Sequence, residues 1–201
     1  IDLSATGALS IASGATLRVD GRDAVGTIGT GAAGTIKLAG LGGVILDGTL
    51  SGRGPDAGTG GHFILDTLSL SDPGRDYDAL VRTLANTGLT GSWDIRARSG
   101  DITMAARTQT RDLTVSADDG SILLSGEIDA SGATGGHVRL WAGNNLTLAG
   151  TAMIDAHGAE TDDAGRGGRV WLGAGMNIAT PGALLLAQGS RIRVDAAGQP
   201  L

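Results

Sequence analysis

The chain contains no cysteine, so neither a disulfide framework nor a thiolate metal site is available to it. That absence suits export in an unfolded state without requiring it. Only five of its 201 residues are aromatic: Phe63, Tyr77, Trp93, Trp141 and Trp171. A core built on large rings is therefore excluded, and small aliphatic residues must do the packing. No apolar run approaches the roughly 20 residues that cross a bilayer as a helix. Lysine occurs once, at Lys37, and the other 14 basic residues are arginine, which codon bias accounts for more readily than selection for bidentate contacts. The formal charge is −6, with no cluster of Lys or Arg, which argues against a nucleic-acid partner.

Glycine is abundant instead, at 36 of 201 residues. It separates short apolar alternations such as Leu9 to Ile11, Leu17 to Val19, Ile36 to Leu38 and Val44 to Leu46. Alternation over so few residues predicts short strands, with one side chain out and two in. None is long enough to stand alone, so each needs neighbours above and below it.

Self-similarity supplies them. Gly120 to Gly132 (GSILLSGEIDASG) lies over Gly42 to Gly54 (GGVILDGTLSGRG) without a gap, 78 residues apart. The hexapeptide GGHVRL at 135–140 matches GGHFIL at 60–65 and GGRVWL at 167–172. Leu140, Asn145 and Gly150 align with Leu172, Asn177 and Gly182 at an offset of 32, and GATLRVD at 14–20 resembles GSRIRVD at 189–195. Such repeats predict an all-β parallel solenoid of about seven or eight coils, about 24 residues each and roughly 35 Å long. The whole chain, 1–201, reads as a single segment of this kind.

The repeat breaks across 71–91. Within that break Leu80, Val81 and Leu84 share one helical face, Asp76 or Asp78 can cap its start and Gly88 can end it. One short helix is expected from about Tyr77 to Asn86.

Three Gly-to-Gly-Gly gaps vary in length: two residues between Gly132 and Gly135, five between Gly54 and Gly60, and eight between Gly158 and Gly167. Insertions at one point of a repeat map to one face, often the binding face. The longest carries Glu160, Asp162, Asp163 and Arg166. These would offer oxygen ligands to a cation or polar contacts to a glycan, but the spacing matches no calcium loop, and a solvated turn is the plainer reading. No metal and no cofactor are expected.

Asp129, Asp155 and Asp195 recur in IDASG, IDAHG and VDAAG. Paired carboxylates suit acid and base work on a polysaccharide, the alternative enzymatic reading, but an Asp after a strand also bonds turn N–H groups. His62 and His137 occupy one repeat position, which points to a structural role, and His157 has no evident partner. Trp171 aligns with Arg139 one repeat earlier, so stacking would set indole beside guanidinium, with Trp141 adjoining. Arg139, Trp141 and Trp171, with the loop residues Glu160, Asp162, Asp163 and Arg166, are the candidate ligand contacts. No GxSxG, HExxH or P-loop context survives, so no catalytic residues are assigned and no enzymatic activity is expected.

The units GxIxLxGxIDAxG and GGxVxLxAGxNLTLxG, with the break DALVRTLANTGLTGSWDIRARSGDITM, resemble the repeats of filamentous-haemagglutinin-type exoproteins of two-partner secretion systems. The resemblance covers most of the chain and is clearest over 88–198. It implies a right-handed parallel β-helix, export through an outer-membrane transporter partner, and a structural and adhesive role as a stalk that is secreted or exposed on a bacterial surface. Host or bacterial glycans or surface proteins are the implied ligands. The NPNG and NPNL motifs of that family's secretion domain are absent, so an interior stalk segment is expected. Unpaired end coils also suggest a third reading, end-to-end self-association into a filament.

Overall fold

The computed structural model describes residues 1–21, 31–55, 59–159, 166–176 and 181–196. Strands fall in triplets along the chain. The first triplet is β1 Asp2–Ala5, β2 Leu9–Ile11 and β3 Thr16–Arg18, and the second is β4 Thr35–Gly40, β5 Val44–Leu46 and β6 Thr49–Ser51. β7 His62–Thr67 is then followed by helix α1, Tyr77–Leu84, in place of two further strands. Full triplets resume with β8 Ser92–Ala97, β9 Ile102–Met104 and β10 Thr108–Gln109. The next are β11 Asp112–Ala117, β12 Ile122–Leu124 and β13 Glu127–Asp129, and then β14 His137–Ala142, β15 Leu146–Leu148 and β16 Met153–Asp155. The last comprises β17 Arg169–Gly173, β18 Leu184–Leu186 and β19 Arg191–Arg193.

Each strand pairs in parallel with its counterpart in the next triplet. First strands form one seven-stranded sheet, β1-β4-β7-β8-β11-β14-β17. Second and third strands form two four-stranded sheets, β9-β12-β15-β18 and β10-β13-β16-β19, and two two-stranded ones, β2-β5 and β3-β6, with α1 occupying the break. Among the described residues the fold is therefore all-β and parallel, with one helix. Segments matched in the sequence occupy matched places: 44–51 and 122–129 both supply second and third strands, and the GGH and GGR hexapeptides all lead into first strands.

Alternation decides which side chains go inside. β4, β7, β8, β11 and β14 are six residues long, with every second residue buried. They are longer than the triplets read from sequence, because the ladder continues past the apolar pair into small residues such as Ala97, Ala117 and Ala142. Register stacks Leu38, Leu65, Ile95, Val115, Leu140 and Leu172 in one column. A second column runs Met104, Leu124, Leu148 and Leu186. Parallel strands buried this way supply the core that so few aromatic residues could not.

The shortest repeat, Trp93 to Leu113, spans 20 residues, fewer than the 24 anticipated. The next step, Leu113 to Val138, takes 25, and the additional residues fall between third and first strands. Four of the five connections from a third to a first strand are closed in the same way, and in the short β10–β11 connection Arg111 N–H instead donates to the Thr90 carbonyl at 3.0 Å. The N–H groups of Gly34, Gly61, Gly136 and Gly168 donate to the carbonyls of Val19, Gly52, Ala130 and Ala156 at 2.8, 2.7, 2.9 and 2.8 Å. The four acceptors occupy one position, immediately after the third strand, so loops of different length leave and return at one point. Glycine is required at the return: a Cβ on Gly136 would lie 1.8 Å from the Arg111 carbonyl oxygen, and one on Gly168 would lie 2.3 Å from that of Ala156.

Helix α1 starts where expected, with the Asp76 carboxylate accepting from Ala79 N–H at 2.8 Å, and buries Tyr77, Leu80, Val81 and Leu84. It ends two residues early, because Asn86 already takes a left-handed conformation at φ 66°, ahead of Gly88 at 79°. The helix finishes the sheets it interrupts. Asp78 accepts from the N–H groups of Ala105 and Ala106 just beyond β9, at 3.0 and 2.8 Å. The hydroxyl of fully buried Tyr77 bonds Thr108 at 2.9 Å, giving that buried threonine its partner.

Candidate functional site

The outward residues of the seven-stranded sheet include histidine, arginine, aspartate and tryptophan side chains. Pleating that buries Val138, Leu140 and Ala142 turns His137, Arg139 and Trp141 outward, and the same holds for Arg169 and Trp171 on β17. Register places Arg139 directly beside Trp171 and Trp141 beside Gly173. The Arg139 guanidinium carbon stands 4.4 Å from the indole centroid of Trp171, and the His137 ring lies 5.9 Å away, tilted 45°. Trp141 covers Gly173 so closely that a Cβ there would come within 2.3 Å of the indole. The three candidate contacts on this sheet are thus brought together.

Their surroundings are charged and hydrogen-bonded. His137 Nδ1 lies 2.9 Å from Asp112 Oδ1, and His62, at the matching position, lies 2.8 Å from the Ser92 hydroxyl. Both histidines hold neighbouring strands, in keeping with the structural role read from their repeat position. Asp94 precedes Thr114 and Arg139 in the same outward column. Crowding by neighbouring side chains pushes its carboxyl above the usual range; Arg139 opposes the rise and Asp66 adds to it. Farther along the face, Arg98 bonds Asp66 at 2.6 Å and Arg96 bonds Asp118 at 2.6 Å. The Asp118 bond raises the Arg96 guanidinium above its ordinary value.

Of the four loop residues only Arg166 is described. Glu160, Asp162 and Asp163 lie outside the described residues. Arg166 is exposed in the connection between β16 and β17, where its carbonyl accepts from Gly135 N–H at 2.8 Å, and it takes no part in the Arg139–Trp171 pair. Among the described residues no group of three or more His, Asp or Glu side chains is placed to hold a metal ion.

The aspartates of the third sheet serve their own turns. Asp129 accepts from Ser131 N–H at 3.1 Å, from its hydroxyl at 2.6 Å and from Arg107 at 2.7 Å. Asp155, its register neighbour, accepts from His157 N–H at 3.1 Å and sits 2.6 Å from His157 Nδ1. His157 therefore does have a partner. The signal was the Asp-x-His spacing, because residues two apart in extended backbone point the same way.

Asp195 differs from the other two. Despite the matching text, register sets Asp155 beside Arg193, and Asp195 falls two residues further on. A two-residue slip keeps Ile192 inward, so the hydrophobic pattern tolerates it. Asp195 instead bonds Arg193 at 2.8 Å, as Asp20 bonds Arg18 in the first triplet.

A cleft of about 100 Å³ lies between α1 and β5, lined among others by Val44, Leu46, Leu65, Leu70 and Leu80, and it includes none of the candidate residues. No family model matches the chain, and neither the curated proteins nor the solved structures contain a match to it.

Proposed function

We propose that the stacked triplets form a right-handed parallel β-helix that serves as a structural and adhesive segment of a large bacterial exoprotein, secreted or held at the cell surface. The observation that carries this reading is the seven-stranded parallel sheet built from one strand per triplet, with loops of unequal length leaving at one repeated point. Such an architecture extends by adding triplets, and each contacts only its neighbours. At about 4.8 Å per strand the seven strands span about 30 Å, so a longer series would make a rod. The resemblance of the repeats to filamentous-haemagglutinin-type exoproteins supports the location and an outer-membrane transporter as the partner in export.

The contact surface on this reading is the Arg139–Trp141–Trp171 face, whose flat rings and adjacent charged groups suit the apolar faces and hydroxyls of sugar rings. A host or bacterial glycan is its ligand class. The Asp129 and Asp155 carboxylates are committed to their own turns, which favours this reading over polysaccharide cleavage.

Electron microscopy of the full-length secreted protein tests the architecture, with an elongated rod expected; a compact particle would overturn it. Glycan-array binding tests the surface. Binding by the wild type that is lost in Trp171→Ala and Arg139→Ala supports the assignment, and binding unchanged in both removes it.

A further inference from the structure

We propose that the edge of β5 beside α1 is a docking groove for an extended segment of another protein, one with aliphatic residues two apart, which adds to β5 as a parallel strand. The inference rests on the break inside the stack, not on the adhesive role. Among the described residues β5 pairs with β2 alone, because α1 stands where the next second strand would run. Leu9 N–H donates to the Gly43 carbonyl and Asp47 N–H to that of Ile11, at 3.0 and 2.9 Å. Alternate residues of a parallel strand bond the same neighbour, so residues 43, 45 and 47 serve β2, and Val44 and Leu46 turn their backbone groups towards the break. Val44 N–H meets the Thr67 hydroxyl at 3.0 Å. The Leu46 N–H and both carbonyls face a side that no described strand covers.

The helix leaves that side open. Asp78 and Tyr77 tie it to the backbone beyond β9 and to Thr108 on β10. Two clefts, of about 100 and about 120 Å³, run along β5 from Gly42 to Asp47 and share Val44, Thr67 and Arg75, so together they form one groove the length of the strand. Its far wall includes Leu70 and Leu80. Val44 and Leu46 stay only partly buried in it, whereas Ile122 and Leu124, at the matching positions of a layer with neighbours on both sides, are buried.

The stack itself shows what fits. Second strands set aliphatic against aliphatic at two places: Ile102, Ile122 and Leu146 at the first, and Met104, Leu124 and Leu148 at the second. Leu9 and Ile11 meet Val44 and Leu46 in the same way. A strand with aliphatic residues two apart continues this ladder on the free side of β5. Main-chain bonds to Val44 and Leu46 supply affinity, and the clefts select the side chains.

Fluorescence anisotropy of a labelled peptide with the sequence of residues 119–126, DGSILLSG, tests this. Saturable binding to the folded protein is expected. Binding should be lost when serine replaces the peptide's isoleucine and second leucine, and when its first leucine, whose N–H would donate to the Val44 carbonyl, is N-methylated. On the protein, Leu46→Lys and Ala79→Trp obstruct the groove from opposite walls and should each abolish binding. Circular dichroism confirms folding, and Ala79→Trp carries the test if Leu46→Lys unfolds. A wild type that does not bind, binding that survives in Ala79→Trp, or equal binding of either altered peptide would overturn the proposal. Wild-type mass that grows with concentration in sedimentation velocity, and no longer does so in Ala79→Trp, would overturn it in favour of a second copy as the occupant.

Discussion

Leu148 and Leu186 hold the same column on adjacent strands and differ in one respect: Leu148 is fully buried and Leu186 is 49% exposed. Replacing each with alanine isolates the contribution of a covering layer. The substitution removes three carbons, worth about 2.4 kcal/mol of transfer at about 0.8 kcal/mol per buried methylene. At Leu148 the neighbours cannot close in, because Leu146 N–H and Ala187 N–H hold β15 and β18 at a fixed spacing with bonds of 2.9 Å each. A residual cavity adds to the loss, for a total of about 3–4 kcal/mol. At Leu186 about half of the side chain already faces water and no cavity closes, so the expected cost is about 1 kcal/mol. Urea titration measures both. A midpoint shift at least twice as large for Leu148→Ala, with unchanged slope, is expected. Equal shifts would refute the reasoning, since they would mean that Leu186 is covered in the monomer.

Four further outcomes follow from particular contacts. Gly136→Ala drives a Cβ into the Arg111 carbonyl and should cost about 3 kcal/mol or more in a urea titration, whereas Gly7→Ala, with nothing within 4 Å, should stay within about 0.5 kcal/mol. Tyr77→Phe strands the Thr108 hydroxyl in the core and should cost about 1–2 kcal/mol, measured by thermal unfolding. Burial pushes the Asp20 carboxyl up, but bonds from Ser51, Arg53 N–H and Arg18 outweigh it and hold it at about 2, below the usual 3.8. Its contribution, about 2 kcal/mol, is full above the unfolded value and lost as pH falls through about 2, and Asp20→Asn should flatten the stability profile in that acid range. A double-mutant cycle of Arg139→Ala with Trp171→Ala should return a coupling of about 0.5–1 kcal/mol, and a coupling of zero would deny the cation–π contact.

Most of the strand plan was legible because its cause is local. An apolar residue at every second place and a glycine at each close approach are written into consecutive residues, as at Leu113 to Val115 and at Gly135-Gly136. The helix was equally legible, since Asp76 and the Leu80, Val81 and Leu84 stripe act within one turn. The Arg139–Trp171 contact could be anticipated because the repeat aligns those two residues directly. Other features escaped because identical text does not ensure identical register. Asp195 matches Asp155 by letter but lies two residues beyond it in the sheet, and Arg193 takes the place beside Asp155. The His157 pair escapes for a different reason: an Asp after a strand is read as serving turn N–H groups, and Asp155 serves the His157 ring as well as its N–H.

By itself the sequence determined the alternation, the punctuation and the places where layers could repeat, since these follow from backbone sterics and side-chain polarity within a few residues. Only the tertiary structure decided that α1 would stand in for two strands, with Tyr77 completing Thr108 and Asp78 capping the backbone beyond β9. It alone set the registers that bring Arg139 to Trp171 and leave Leu184 and Leu186 open to solvent. Those outcomes depend on residues tens of positions apart, where free energy of stacking, not local preference, selects the neighbour.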